Sequence, residues 1–165
     1  MTALTDLQNQ IAQRIANELP RFTERDGWDV LTEVKGDIYN MMQARLNSLG
    51  IGFCVFTPDV ARGDFVERRN IKVVVETTEN PLLNQSDTGT RIPGLDLAWI
   101  LDGILSNWQP ERGWSQLLFE GMTQVATPFP GCVAWNTAFG TSTVAQVIEQ
   151  DYDPATVEQE PVALN

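Results

Sequence analysis

Residues 69–108 read RNIKVVVETTENPLLNQSDTGTRIPGLDLAWILDGILSNW, and the way this stretch divides decides the fold. Ile71, Val73, Val74 and Val75 form an almost continuous apolar run, the pattern of a strand covered on at least one face. Beyond a polar connection holding Asn80-Pro81 and Asn84, the residues Leu97, Leu101, Ile104, Leu105 and Trp108 fall on one stripe at helical period. A strand that feeds a helix packing back on the sheet makes a two-layer core.

Upstream, Leu4, Leu7, Ile11, Ile15 and Leu19 step by three or four residues, which predicts a first amphipathic helix ended by Pro20, with Thr5 and Gln8 as its capping box. The segment RFTERDGWDVLTEVKGD that follows is polar with isolated apolar residues and reads as a loop or a short edge strand. Asp37 is placed to cap a second helix through Leu49, and Gly50 to end it in the left-handed conformation. Ile51–Thr57 is then a buried strand, joined to Ile71–Thr77 through a charged connection, as a hairpin with a long exposed tip.

Downstream of a helix over Leu95–Trp108, the QPERGW linker leads to two strands, Gln116–Ala126 and Val133–Thr141. The turn Thr127-Pro128-Phe129-Pro130-Gly131 joins them. This order predicts an α+β fold, a mainly antiparallel four-stranded sheet with helices packed on one face. One domain spans 1–147. Residues 148–165 carry Glu149, Asp151, Asp153, Glu158 and Glu160 with no base and two prolines, and read as an acidic extended C-terminal arm.

The 165 residues suffice for one domain with a real core. A net charge of −11 repels nucleic acid and anionic membranes, which argues against a sequence-reading DNA binder. The N-terminus lacks the basic head and apolar run of a signal peptide, and no apolar segment approaches the roughly 18–20 residues a membrane-crossing helix needs. Cys54 and Cys132 sit in apolar runs and are expected as buried free thiols, a cross-strand disulfide being the sharper but disfavoured alternative. The chain has no histidine, which removes Ser-His-Asp and Cys-His nucleophiles and imidazole metal sites.

The closest carboxylate pairs are Asp26 and Asp29, Asp64 and Glu67, and Glu76 and Glu79. They lack cation-loop spacing and read as solvated surface. Gly89-Thr90-Arg91 lacks the flanking pattern of a phosphate-cradling loop and reads as a turn entering a helix. The bases are uneven: Arg62, Arg68, Arg69, Lys72 and Arg91 are five of eleven, within thirty residues. They read as solvated faces or, more sharply, as a patch for carboxylates of a neighbouring subunit. The opposite charge of the C-terminal arm makes head-to-tail association conceivable.

Several features together resemble the tail terminator (tail completion) proteins of long-tailed phages and phage-like particles. They are the amphipathic N-terminal helix, the strand ending in Thr78-Glu79-Asn80-Pro81-Leu82-Leu83-Asn84, Thr88-Gly89-Thr90 and its following helix, and Pro128-Phe129-Pro130-Gly131 before VAWNTAFGTST. The resemblance covers roughly residues 3–145. It implies small α/β subunits that form a ring, commonly a hexamer, on the head-proximal end of the tail tube. Such a ring stops tube polymerisation and presents the surface the head or neck binds, as a virion component made in the host cytoplasm. It implies no catalysis, cofactor, metal or membrane, and DNA only passing through a negative lumen. The interface residues expected are Arg62, Asp64, Arg68 and Arg69 at the hairpin tip, against tube or neighbour. Asn80, Asn84 and Arg91 in the connection would face the adjacent subunit. A neck or head-completion protein is the alternative. From another class, a small carboxylate enzyme would need a deep pocket holding two or more acids.

Overall fold

Leu7, Ile11 and Ile15 are fully buried, and their spacing is what turns residues 4–18 into a helix that lies on a sheet. The computed structural model describes residues 4–33, 36–65, 67–84, 92–111 and 113–144. In it α1 (Leu4–Glu18) runs into a short 3-10 turn at Leu19–Arg21, followed by β1 (Leu31–Thr32), α2 (Ile38–Leu49), β2 (Ile51–Arg62) and β3 (Arg68–Glu79). Then come α3 (Pro81–Asn84), α4 (Gly94–Leu105), β4 (Leu118–Val125) and β5 (Val133–Val144). The expected C-terminal arm, residues 148–165, lies outside the described residues, as does Arg91.

The fold is α+β, but the sheet is five-stranded and mixed, in the order β1-β2-β3-β5-β4. The fifth strand is β1, which pairs parallel with Cys54 and Val55, and all other pairings are antiparallel. Two residues embedded in a polar segment carry no period, so the sequence left loop and edge strand open.

The helices also occupy both faces, not one. Phe53, Val55, Val73, Val75 and Phe139 pack against Leu7, Ile11 and Ile15 of α1 and Leu97, Leu101 and Ile104 of α4. Thr137 Oγ1 donates to the Ala98 carbonyl (3.0 Å), tying α4 to β5. On the reverse face, Met42 and Leu46 of α2 cluster with Leu31, Cys54 and Phe129. The reason lies in IGFCVF: successive strand residues point to opposite faces, so an unbroken apolar run needs cover on both. Gly52 lets α2 approach, since a Cβ there would collide with the Met42 sulfur.

The local expectations divide. Asp37 caps α2 by accepting from the Asn40 amide (3.1 Å), and Gly50 ends it at φ 74°. Thr5 is already helical and Gln8 is no cap residue; it is buried, donating to Glu33 and to Thr57 Oγ1 (2.8 Å). The hairpin is longer and its tip shorter than expected. β2 continues through Pro58 past a bulge between Phe56 and Asp59, and Gly63 N donates to the Arg68 carbonyl (2.8 Å) to close the turn. α4 stops at Leu105, and Asn107 turns the chain with φ 61° before Trp108.

Both cysteines are free. Burial, with lesser contributions from Glu76 and Glu33, pushes the Cys54 thiol up to about 12, and burial raises Cys132 as well. Cys132, only partly buried, is expected to alkylate in the native protein at pH 8, whereas Cys54 stays unmodified until the chain unfolds. Below pH 9 Cys54 is protonated in both states and its contribution to stability is complete. Between pH 9 and about 12 the unfolded chain alone ionises it, so stability falls as pH rises. Denaturation midpoints of native and Cys54→Ala chains across that window read this as a difference in slope.

Candidate interaction surfaces

The β2–β3 register gathers four of the seven residues expected at interfaces. Arg62 ends β2 directly opposite Arg69, Arg68 begins β3, and Asp64 is exposed in the turn between them. Like charges facing each other across a ladder disfavour the pair. The arrangement therefore concentrates positive charge at one end of the sheet. Arg68 donates through Nε and Nη2 to Ser142 Oγ (3.0 and 2.8 Å), which anchors the hairpin base to β5. Phe65, at the turn, is 68% exposed.

The connection after β3 is a tightly bonded corner more than a free surface. Asn80 N donates to the Gly50 carbonyl (2.7 Å), and its Oδ1 accepts from Leu82 N (3.2 Å). Asn84 is buried, and its Nδ2 donates to Glu79 Oε1 (2.6 Å) and the Ile92 carbonyl (2.8 Å). Its side chain holds β3, α3 and the entry to α4 together and is not available to a neighbour in the folded subunit. Asn84→Ala removes the donor from a buried carboxylate and is expected to destabilise by about 2–3 kcal/mol, read from a urea midpoint. Asn84→Asp is expected to be worse at neutral pH, because two carboxylates then meet.

The opposite edge of the sheet holds residues the sequence reading passed over. β4 is an outer strand of eight residues with Glu120 its one charged side chain. Leu118 and Phe119 on it are 59% and 37% exposed. Trp99 of α4, 59% exposed, meets Phe119 edge-to-face at 6.3 Å, and Phe119 meets Phe139 of the core at 6.0 Å. Leu95 lies one turn before Trp99 and is also exposed. The signal available was the second stripe of α4, Leu95–Trp99–Asp102–Ser106, on the side away from Leu97 and Leu101. Against edge-to-edge pairing β4 has a bulge between Phe119 and Gly121 and the single charge of Glu120, with no lysine or proline. The other sheet edge is also open, since β1 covers only Cys54 and Val55 and leaves the outer side of Thr57–Arg62, the side away from β3, without a strand partner among the described residues.

The carboxylate pairs do not converge. Asp29 is held by Arg45, Asp64 and Glu67 are exposed at the hairpin turn, Glu76 accepts from Thr78 Oγ1 (3.0 Å), and Glu79 is bonded to Asn84. A groove of about 390 Å³ on the face that α2 leaves bare is lined by Asp59 and Glu120 with Lys72 and Arg68. Among the described residues, no group of three or more Cys, Asp or Glu is placed to hold a metal ion, and no helix is long and apolar enough to cross a membrane. The chain matches no protein-family model and no curated protein.

Proposed function

We propose that this chain is a ring-forming structural subunit, a tail terminator that caps the tail tube of a long-tailed phage or phage-like particle and joins it to the head or neck. The observation that carries the reading is the pair of unlike, open edges on opposite sides of one sheet. One is apolar, β4 with Trp99 beside it, and the other is the charged Thr57–Arg62 end of β2. Two different surfaces on opposite sides are what head-to-tail association needs, and such association closes into a ring where the rotation permits. The resemblance of residues 3–145 to tail terminators supplies the place of that ring. The net charge of −11 suits a lumen through which DNA slides without adhering.

The expected interface residues narrow under this reading to Arg62, Asp64 and Arg69 at the hairpin, with Arg68 bracing it from Ser142. The carboxylate-enzyme alternative draws little support, because the one buried acid of the candidate pairs, Glu79, already has its oxygen bonded to Asn84. The test is the mass of the purified protein, alone and with the tail-tube protein of its particle. A ring-sized species that fixes tube length is the result expected. A ring that ignores tubes and binds the head portal favours the neck-protein alternative, and a concentrated monomer indifferent to tubes overturns the proposal.

A further inference from the structure

The two open edges of the sheet are complementary in direction as well as unlike in chemistry. Across the sheet β2, β3, β5 and β4 alternate, so β4 runs opposite to β2. Copies related head to tail by a rotation about an axis along the strands keep that direction. β4 of one copy laid beside β2 of the next therefore continues the antiparallel alternation without a break. The backbone of β2 suits this. Gly63 N donates to the Arg68 carbonyl, so by the antiparallel alternation Ala61–Asn70 and Asp59–Lys72 are the bonded pairs with β3. The N–H and C=O of Val60 and Arg62 then point away from β3, to the open side. Pro58 has no donor to leave unpaired, and Thr57 N donates to Glu33 Oε1 (3.3 Å), which closes the other end of the edge.

The side chains fix the register. Val60 and Arg62 share the face of Ile71, while Phe119 and Met122 share the face of Phe139 and Thr137, so all four belong on one face of a joined sheet. β4 offers six ladder positions, Phe119 and Gly121–Val125, with Glu120 extra at the bulge, and Thr57–Arg62 offers six residues. We infer that β4 of one copy pairs with the outer side of Thr57–Arg62 of a second copy, with Phe119 opposite Arg62, Met122 opposite Val60 and Thr123 opposite Asp59. This rests on the ring reading above and gives that ring a main-chain joint. The bulge sets Glu120, the one charge on β4, beside Arg62, and neither is in an ion pair among the described residues. Arg62 also comes against Phe119 and Trp99, whose ring faces attract a guanidinium. Val60, 46% exposed in the subunit, is covered by Met122.

Cysteine cross-linking of the full chain tests this. Asp59 and Thr123 are both exposed, and opposite residues that exchange no bonds have Cα atoms about 4.5 Å apart, within disulfide reach. Within one subunit the two stand three strand spacings apart, roughly 14 Å, which is out of reach. On a Cys132→Ala background, which leaves only the buried Cys54, oxidised Asp59→Cys/Thr123→Cys is expected to give a reducible ladder ending at ring size. Each single variant should stay free of cross-links. A dimer from Thr123→Cys alone shows β4 meeting β4 about a twofold axis and overturns the inference. A ring-sized species that yields no ladder overturns the pairing and leaves the ring reading standing, whereas a protein that stays monomeric overturns both. A charge swap gives the second readout. Arg62→Glu, set against Glu120, is expected to weaken assembly about tenfold or more, and Arg62→Glu/Glu120→Arg to restore it. Assembly indifferent to Arg62→Glu overturns this register.

Discussion

Gly50→Ala is expected to destabilise the protein by about 3–5 kcal/mol. Two costs add. Gly50 sits at φ 74°, where a side chain crowds its own backbone. Its missing Cβ would also come within 2.7 Å of Asn84 Cα and the Leu83 carbonyl carbon, which are backbone atoms with no rotamer to yield. Those atoms are held in place from two sides, by Asn80 N on the Gly50 carbonyl and by the Asn84 bonds to Glu79 and Ile92. The corner therefore moves as a whole or not at all. Gly131 separates the two contributions, since it shares φ 74° but has nothing within 4 Å of a Cβ. Gly131→Ala should cost only about 1 kcal/mol. Equal urea midpoints for the two variants would remove the backbone contact from the account.

The helix end at Gly50 was legible in the sequence, because Asp37 and Gly50 bracket an amphipathic run and caps are local chemistry. That α3 lies against Gly50 was not legible, because nothing in NPLLN states what its backbone touches. The same division runs through the fold. The strand and helix of residues 69–108, both hairpins and the apolar stripe of α1 followed from period and turn residues. The placement of α2 on the second face depended on reading IGFCVF as two faces at once, and the run contains that information. β1 was legible only as one of two options, a loop or a short edge strand, since its pairing rests on two residues whose partners lie more than twenty positions away.

Of the candidate surface, the clustering of the hairpin arginines was legible because charge is visible in one dimension, and the β2–β3 register sets Arg62 opposite Arg69. Asn84 was misjudged because a polar residue in a polar connection looks exposed, and only the fold brings Glu79 and Ile92 to it. Trp99 was passed over for the opposite reason. Its helix has a strong apolar stripe on the other side, and a lone exposed aromatic residue is ordinary until Phe119 arrives beside it from a distant strand.

Trp99 carries the second large prediction. If β4 and the outer face of α4 form one side of a head-to-tail interface, Trp99→Ala should weaken self-association by about 30-fold or more, the loss typical of a central tryptophan. Fold stability should hardly change. Trp99 is 59% exposed, so truncation removes its edge-to-face contact with Phe119 and little buried area, about 1 kcal/mol. Leu82 is the matched comparison. At 84% exposure it is the most exposed large apolar side chain described, yet it stands on α3, away from the β4 edge. Leu82→Ala should leave association within about twofold, as peripheral contacts do. Sedimentation of the three proteins across a concentration series, with thermal melts alongside, gives both readouts. Loss of assembly in Leu82→Ala with Trp99→Ala intact would move the interface to the corner after β3. Loss in Trp99→Ala with an unchanged melt would separate assembly from folding, which is what an exposed aromatic beside an outer strand implies.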